Sequence, residues 1–278
     1  MRHLIRLLRA QVWIALGFFA LPAAAAAVPT VSLKGPHDAH YLVGQSEFLA
    51  DPGKELSFAD VRHRKEGFRM VTREAAKQGT TDSAFWLRFR VRNPTPEPQT
   101  WVVTAPAAFI EQMDAWVQDG EGLRRIRLDN DNPESERSLF HHELGFRHTS
   151  PPEAVVTVYL RLAHELPDSM HLDASVFGSA AFERHQVGTV FFYAASYGSM
   201  LALFLYTAVV WFSVRDPRYG TYAFYILATM LAWAASNGHL QQFFFHRYPA
   251  LINDNLHAFF LMAAITGLWF GRRFLDLA

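Results

Sequence analysis

The chain of 278 residues contains no cysteine, which excludes a disulfide framework, a zinc ribbon and a thiol nucleophile. It also lacks net charge, with 26 Lys and Arg against 26 Asp and Glu. Zero balance leaves neither the global basic field of a nucleic-acid binder nor an acidic disordered tail. Charged residues make up only 19% of the chain, below the roughly 25% of an ordinary soluble domain. No G-x-S-x-G, P-loop or G-x-G-x-x-G occurs, and apart from one alanine run there is no repeat or low-complexity segment. No catalytic residue, metal site or cofactor is expected.

What is present is unevenly distributed. Between residues 30 and 185, eighteen Lys and Arg face twenty-three Asp and Glu, whereas the rest of the chain holds eight against three. The neutral total is the sum of an acidic, water-soluble middle and two basic, apolar ends. At the N-terminus, Arg2, Arg6 and Arg9 precede a short apolar core over 12–21, broken by Pro22 and followed by Ala23 to Ala27. This order predicts an export signal over 1–27, cleaved after Ala27. The apolar core is shorter than the roughly 20 residues a bilayer span needs. An uncleaved anchor is the alternative, with the same delivery across the membrane.

The C-terminal third predicts three membrane helices, over 187–214, 219–238 and 255–271. The first run has 28 residues without Asp, Glu, Lys, Arg or His, more than a hydrocarbon core of about 30 Å requires. The third contains His257 and ends at Arg272 and Arg273, which can snorkel. With the soluble part outside, Arg215, Arg218, Arg272 and Arg273 all fall on the cytoplasmic side, as the positive-inside rule requires. Aromatic residues gather at both boundaries, with Phe191, Phe192 and Tyr193 at one and Trp211, Phe212, Tyr219 and Tyr222 at the other.

Residues 30–184 show mostly period-two patterning. Phe85, Leu87, Phe89 and Val91 form one face of a strand whose other face is Trp86, Arg88, Arg90 and Arg92. Residues 101–104 read as its neighbour. Residues 110–118 and 123–128 read as a hairpin turned by Asp119-Gly120-Glu121-Gly122. Residues 154–162 and 171–177 add two strands, and 57–61 one helical turn. Short strands between Pro, Gly and Asn loops predict a β-sandwich of jelly-roll type, joined to α-helical transmembrane segments.

The order of a signal, a β-domain containing TDSAFWLRFRVRNP and a helix reading YGSMLALFLYTAVVWFSVRDPRYGTYAFY resembles bacterial seven-transmembrane receptors with diverse intracellular signalling modules. The exported part resembles their type 2 extracellular domain, similar to carbohydrate-binding modules, at 41–51, 81–94, 113–120 and 157–162. The membrane part resembles theirs from about 197 to 277, including SNGHLQQFFFHRYP and GRRFLDL. The resemblance implies a periplasmic sensor in the bacterial inner membrane with its C-terminus in the cytoplasm. Its implied partners are a small periplasmic ligand such as a carbohydrate, membrane lipid, four further helices and a cytoplasmic output domain, a second copy of the chain, and no nucleic acid. Because the sequence stops at Ala278, just after the third helix, it reads as a fragment of such a receptor.

The candidate binding residues are Trp86 with Arg88 and Arg90 on one strand, and Trp116 with Gln112 and Asp114 on another. Aromatic rings pack on the C–H faces of sugars while neighbouring polar groups bind hydroxyls. The alternative is that both rings pack beneath loops and the arginines form a solvated face. His141, His142, Glu143 and His148 lack a zinc spacing, and Glu134 stands where an EF-hand loop starting at Asp129 needs glycine. His164, Glu165 and Asp168 read as loop residues. Ala194, Gly198 and Ala202 recur every four residues and predict a helix-packing stripe, while His257 reads as a headgroup-region residue. Two rival functions remain, a membrane-tethered binding or adhesion module without signalling and an exported hydrolase. The absence of a catalytic constellation disfavours the hydrolase.

Overall fold

The computed structural model describes residues 27–105, 110–129, 143–245, 250–253 and 255–275. The expected signal, apart from Ala27, lies outside them, as do His141, His142 and all but the first residue of the 129–134 run.

Thirteen strands occur among the described residues: β1 (Thr30–Ser32), β2 (Ala39–Tyr41), β3 (Glu47–Asp51), β4 (Arg69–Met70), β5 (Lys77–Thr81), β6 (Ala84–Arg92), β7 (Gln99–Ala105), β8 (Gln112–Gln118), β9 (Leu123–Asp129), β10 (Leu144–Ser150), β11 (Val155–Ala163), β12 (Asp168–His171) and β13 (Ser175–Gly178). They form two main sheets. One runs β4-β3-β6-β11-β8-β9, with β1 added parallel to the end of β6; the other runs β10-β7-β13-β2. β5 and β12 form a separate ribbon.

Period-two patterning produces the core directly. Phe85, Leu87, Phe89 and Val91 of β6 lie at 3% exposure or less, with Val156, Val158, Leu160 and Leu162 of β11 beside them. Trp101, Val103 and Phe146 of the second sheet join the same cluster. The buried indole of Trp101 donates to Ser150 Oγ at 2.6 Å, so this large ring enters the core without an orphaned donor. The predicted 119–122 hairpin is present, with Asp119 Oδ1 accepting from the backbone N–H of Glu121 and Gly122. The sandwich-like antiparallel architecture expected from the patterning is therefore the observed one.

Two pairings differ from the sequence reading. β7 is not a neighbour of β6; it pairs with β10 and β13 in the opposite sheet. Alternation assigns faces, not partners. The 93–98 link crosses between sheets, held by Asn93, whose amide donates to Glu97 O and Pro151 O and whose Oδ1 accepts from Thr95 N. The single strand expected over 171–177 is two strands, β12 and β13, which belong to different sheets.

The expected turn at 57–61 is the helix α1 (Phe58–His63), closed at its N-terminus by a capping box between Ser57 and Asp60. Five further helices follow: α2 (Ser179–Val214), α3 (Pro217–Ser236), α4 (His239–Phe243), α5 (Ala250–Asn253) and α6 (Leu256–Phe274). α2 is long and apolar enough to cross a membrane, yet only 6% of its most apolar 18-residue stretch is buried within the protein. Apolar surface left so open is of the kind that lipid or further apolar helices cover. Arg215, at φ 59°, ends α2. Asp216 and Pro217 start α3 at once, with Asp216 Oδ1 accepting from Arg218 N at 2.8 Å. Gly220 makes this hairpin tight, since a Cβ there would stand 2.7 Å from the Trp211 ring.

Candidate functional site

The register aligns the predicted residues on the outer face of the larger sheet. Trp86 lies opposite Arg161, which lies opposite Asp114 and then Arg127. In the next row, Glu47, Arg88, Tyr159, Trp116 and Arg125 follow one another across five strands. A third row carries Arg90, Thr157 and Gln118. Strand alternation turns all of these side chains away from the core.

The two tryptophans do come together, with ring centroids 5.0 Å apart and an interplanar angle of 30°. They do not lie open. Trp86 is 1% exposed and Trp116 8%, because the 52–68 segment crosses above them. Phe58 of α1 stacks on Trp116 at 5.1 Å and meets Tyr159 edge-on. Val61, Leu56 and Phe68 complete this second cluster. Asp51 carboxylate oxygens accept from the backbone N–H groups of Glu55 and Leu56, tying down the start of the cover. The Nε1 donor of Trp86 is buried without a hydrogen-bond partner.

Arg88 is buried, and its guanidinium pairs with Glu47 at 2.6 Å, donates to Arg64 O at 3.3 Å and lies 3.8 Å over the Phe68 ring. It therefore fastens the cover to the sheet. Asp114 is also buried and pairs at 3.1 Å with Arg125, whose guanidinium stands 5.3 Å above Trp116. Arg90 is half-buried. Gln112 lies at the far end of β8, 3.4 Å from Glu165 Oε1. There Glu111 accepts from Glu165 N, and its carboxyl is held below the usual range chiefly by its contact with His164. Among the described residues, no group of three or more His, Cys, Asp or Glu is placed to hold a metal ion.

The sequence reading missed Phe58, Phe68, Tyr159, Arg125, Arg127 and Arg161. For the last four a signal existed: Tyr159 and Arg161 share parity with the outward positions of the 154–162 strand, as do Arg125 and Arg127 in LRRIRLD. Nothing local marks Phe58 and Phe68 as a cover, because their contacts are with distant strands.

A second feature is the junction with the membrane helices. β13 ends at Gly178, and α2 starts at Ser179 with no intervening residue. Gly178 N donates to Asp38 O and Ala181 N to Pro36 O, while Phe177, Val102, Ala181 and Phe182 pack together. A Cβ on Gly178 would lie 2.6 Å from Pro36 O. His185 stacks on Phe177 at 4.9 Å and lies 3.7 Å from Glu143. Further along, Tyr193 hydroxyl donates to Asn237 Oδ1 at 3.1 Å and Tyr197 hydroxyl lies 3.2 Å from His239 Nδ1. Tyr193, Tyr197 and His239 border an apolar cavity of about 450 Å³ between α2, α3 and α4. Ala194, Gly198 and Ala202 are exposed along α2, and a Cβ on Gly198 would meet no atom within 4 Å; Ala194 and Gly198 line the cavity.

The comparisons with known proteins agree with this arrangement. Residues 44–177 match the 7TMR-DISM extracellular 2 family and residues 189–278 match the 7TM diverse intracellular signalling family. The chain thus belongs to the seven-transmembrane receptors with diverse intracellular signalling, and carries their type 2 extracellular domain followed by their membrane region. It is the extracellular and membrane part of a signalling receptor. No curated protein matches the chain. Among solved structures, a β-glucosidase from Kluyveromyces marxianus in complex with glucose is similar at 13% identity and a TM-score of 0.26, over 48% of this chain. The chain spans 16% of that structure's length.

Proposed function

We propose that the β-domain is a periplasmic sensor for a small solute of the carbohydrate class, and that it passes occupancy to the helices of the bacterial inner membrane. The chain acts as a binding and transmitting device and not as an enzyme, with its C-terminus on the cytoplasmic side. The observation that carries this reading is the direct passage of β13 into α2, packed on both sides and free of a flexible linker. A rigid connection lets a change in the sheet reach the membrane. A binding module that needed only a tether would gain nothing from it. Trp86, Arg88, Arg90, Gln112, Asp114 and Trp116 mark the face that receives the solute, under a cover that shifts on binding. Signalling further requires that the ligand prefer one arrangement of the helices over the other, because affinity equal for both moves nothing.

The absence of cysteine makes the test clean. Spin labels at Ala202→Cys and Phe224→Cys in the full chain report the separation of α2 and α3. A saccharide that raises the melting temperature through binding linkage should also change this distance distribution. Four residues of Gly and Ser inserted after Arg184 should abolish the distance change and leave the thermal shift intact. A distance response that survives the insertion overturns the transmission reading. A panel of neutral and acidic saccharides that gives no thermal shift overturns the carbohydrate reading.

A further inference from the structure

The outer face of the larger sheet collects six of the arginines: Arg88, Arg90 and Arg92 on β6, Arg161 on β11, and Arg125 and Arg127 on β9. Among the described side chains on the strands of this face, only Glu47, Asp51 and Asp114 are acidic, and the Asp51 carboxylate is taken up by the backbone N–H groups of Glu55 and Leu56. The other two are already engaged, Glu47 with Arg88 and Asp114 with Arg125. Arg90, Arg92, Arg127 and Arg161 have no ion-pair partner among the described residues, and all four reach solvent. The cover does not supply the missing negative charge, since residues 52–68 contain Lys54, Arg62, Arg64 and Lys65 against Glu55, Asp60 and Glu66. This positive face belongs to a domain that carries an excess of acids overall, so it is a local concentration of charge and not a reflection of composition.

From this arrangement we infer that the ligand of the face is an acidic saccharide, an oligomer bearing carboxylates on successive sugar units. The inference rests on the carbohydrate reading above and narrows it. Arg161 and Arg127 stand on strands two apart, roughly 10 Å at ordinary strand spacing, and Arg90 lies two rows further along. Carboxylates so widely separated belong to an extended oligomer, since a single monocarboxylate engages one fork at a time. Arginine suits this task because its planar guanidinium binds carboxylate through two parallel N–H donors. Trp86 and Trp116, closed beneath Phe58 in this structure, offer C–H-binding surface between the arginines once the cover yields. The unpaired Nε1 donor of Trp86 lacks an acceptor, and a sugar hydroxyl or ring oxygen supplies one once the cover yields. A buried donor without a partner is costly in a folded protein, so the closed cover retains a bias towards such an acceptor.

The experiment compares oligogalacturonate, oligomannuronate, the methyl ester of the same oligogalacturonate and a neutral cello-oligosaccharide, titrated by calorimetry into the full chain in lipid nanodiscs. At least one uronate oligomer should bind about tenfold or more tighter than the methyl ester, and its affinity should fall with added sodium chloride as exposed charges are screened. The double variant Arg127→Gln and Arg161→Gln should remove most of that preference. Arg92→Gln with Arg90→Gln serves as a second, independent pair, and circular dichroism verifies folding for both. If the ester or the neutral oligomer binds as tightly as the acid, the acidic-saccharide inference falls while the carbohydrate reading stands. If no saccharide binds, both fall. Equal binding of polyglutamate or single-stranded DNA would reduce the face to a general polyanion surface and overturn the inference too.

Discussion

At the scale of single residues, burial decides what a charge does. Arg88 and Glu47 form an ion pair with side chains 10% and 8% exposed, and the arginine also holds the carbonyl of Arg64 and the ring of Phe68. Replacing Glu47 by Leu leaves a buried cation without its partner. The expected loss is about 3 kcal/mol, near the lower end for a broken buried pair because two other contacts remain. The double variant Glu47→Leu with Arg88→Met should recover most of it. Thermal denaturation of both variants checks this, and a melting temperature of Glu47→Leu equal to that of the unaltered protein would show that the pair carries little energy.

His148 shows the opposite case, a base held neutral. Its ring packs 5.0 Å from that of Trp101, and burial lowers its proton affinity more than the nearby Asp119 raises it. A histidine depressed in the folded state binds its proton more readily when unfolded. The protein should therefore lose stability as pH falls below about 6.5, the ordinary histidine value, until the folded group itself titrates. His148→Phe keeps an aromatic ring and cannot titrate, so its melting temperature should fall less between pH 7 and 5. Parallel curves for the two proteins would exclude this residue as a source of acid sensitivity.

At the scale of elements, the junction is where a small change matters most. Gly178 is required by close approach and not by an unusual backbone angle, since its φ is −64° while Pro36 O fills the space a side chain would take. Gly178→Ala should cost about 2 kcal/mol through overpacking and should speed hydrogen exchange at the amide of Ala181, which bonds to Pro36 O. Unchanged exchange would show that the loop at 35–38 adjusts freely. The same elements show what was legible in advance. Alternation over 85–92 gave the core face of β6, and Asp119 to Gly122 gave a hairpin. The length of the uncharged run over 187–214 gave α2. None of these needs knowledge of distant partners. The sheet assignment of β7 and the separation of β12 from β13 were hidden because pairing is a tertiary choice made by links and loops. The covering of Trp86 was hidden for the same reason: a strand's outer face reads as solvent-facing until a segment far away in sequence is laid across it.

At the scale of the whole molecule, two solvents divide the chain. The extracellular domain hides its apolar side chains between two sheets, while α2 turns its apolar surface outward. The arginine-rich sheet face has no counterpart in the total charge, which is zero. It emerges only when the register places β6, β11, β8 and β9 side by side. The candidate residues on β6 and β8 were visible as separate alternating strings. Their union into one face, and the contribution of β9 to it, required the pairing.

The seamless passage from β13 into α2 has a geometric consequence. An α-helix advances about 100° of azimuth with each residue, so the number of residues above the bilayer works as an angular setting between the sheet and everything packed lower on α2. Adding one alanine past His185 would turn Tyr193 and Tyr197, together with the Asn237 and His239 that pack on them, roughly a quarter-turn relative to the sheet, whereas adding seven would bring them back almost to their starting bearing. A sensor built in this way is keyed to rotational phase, much as a shaft is keyed to its wheel.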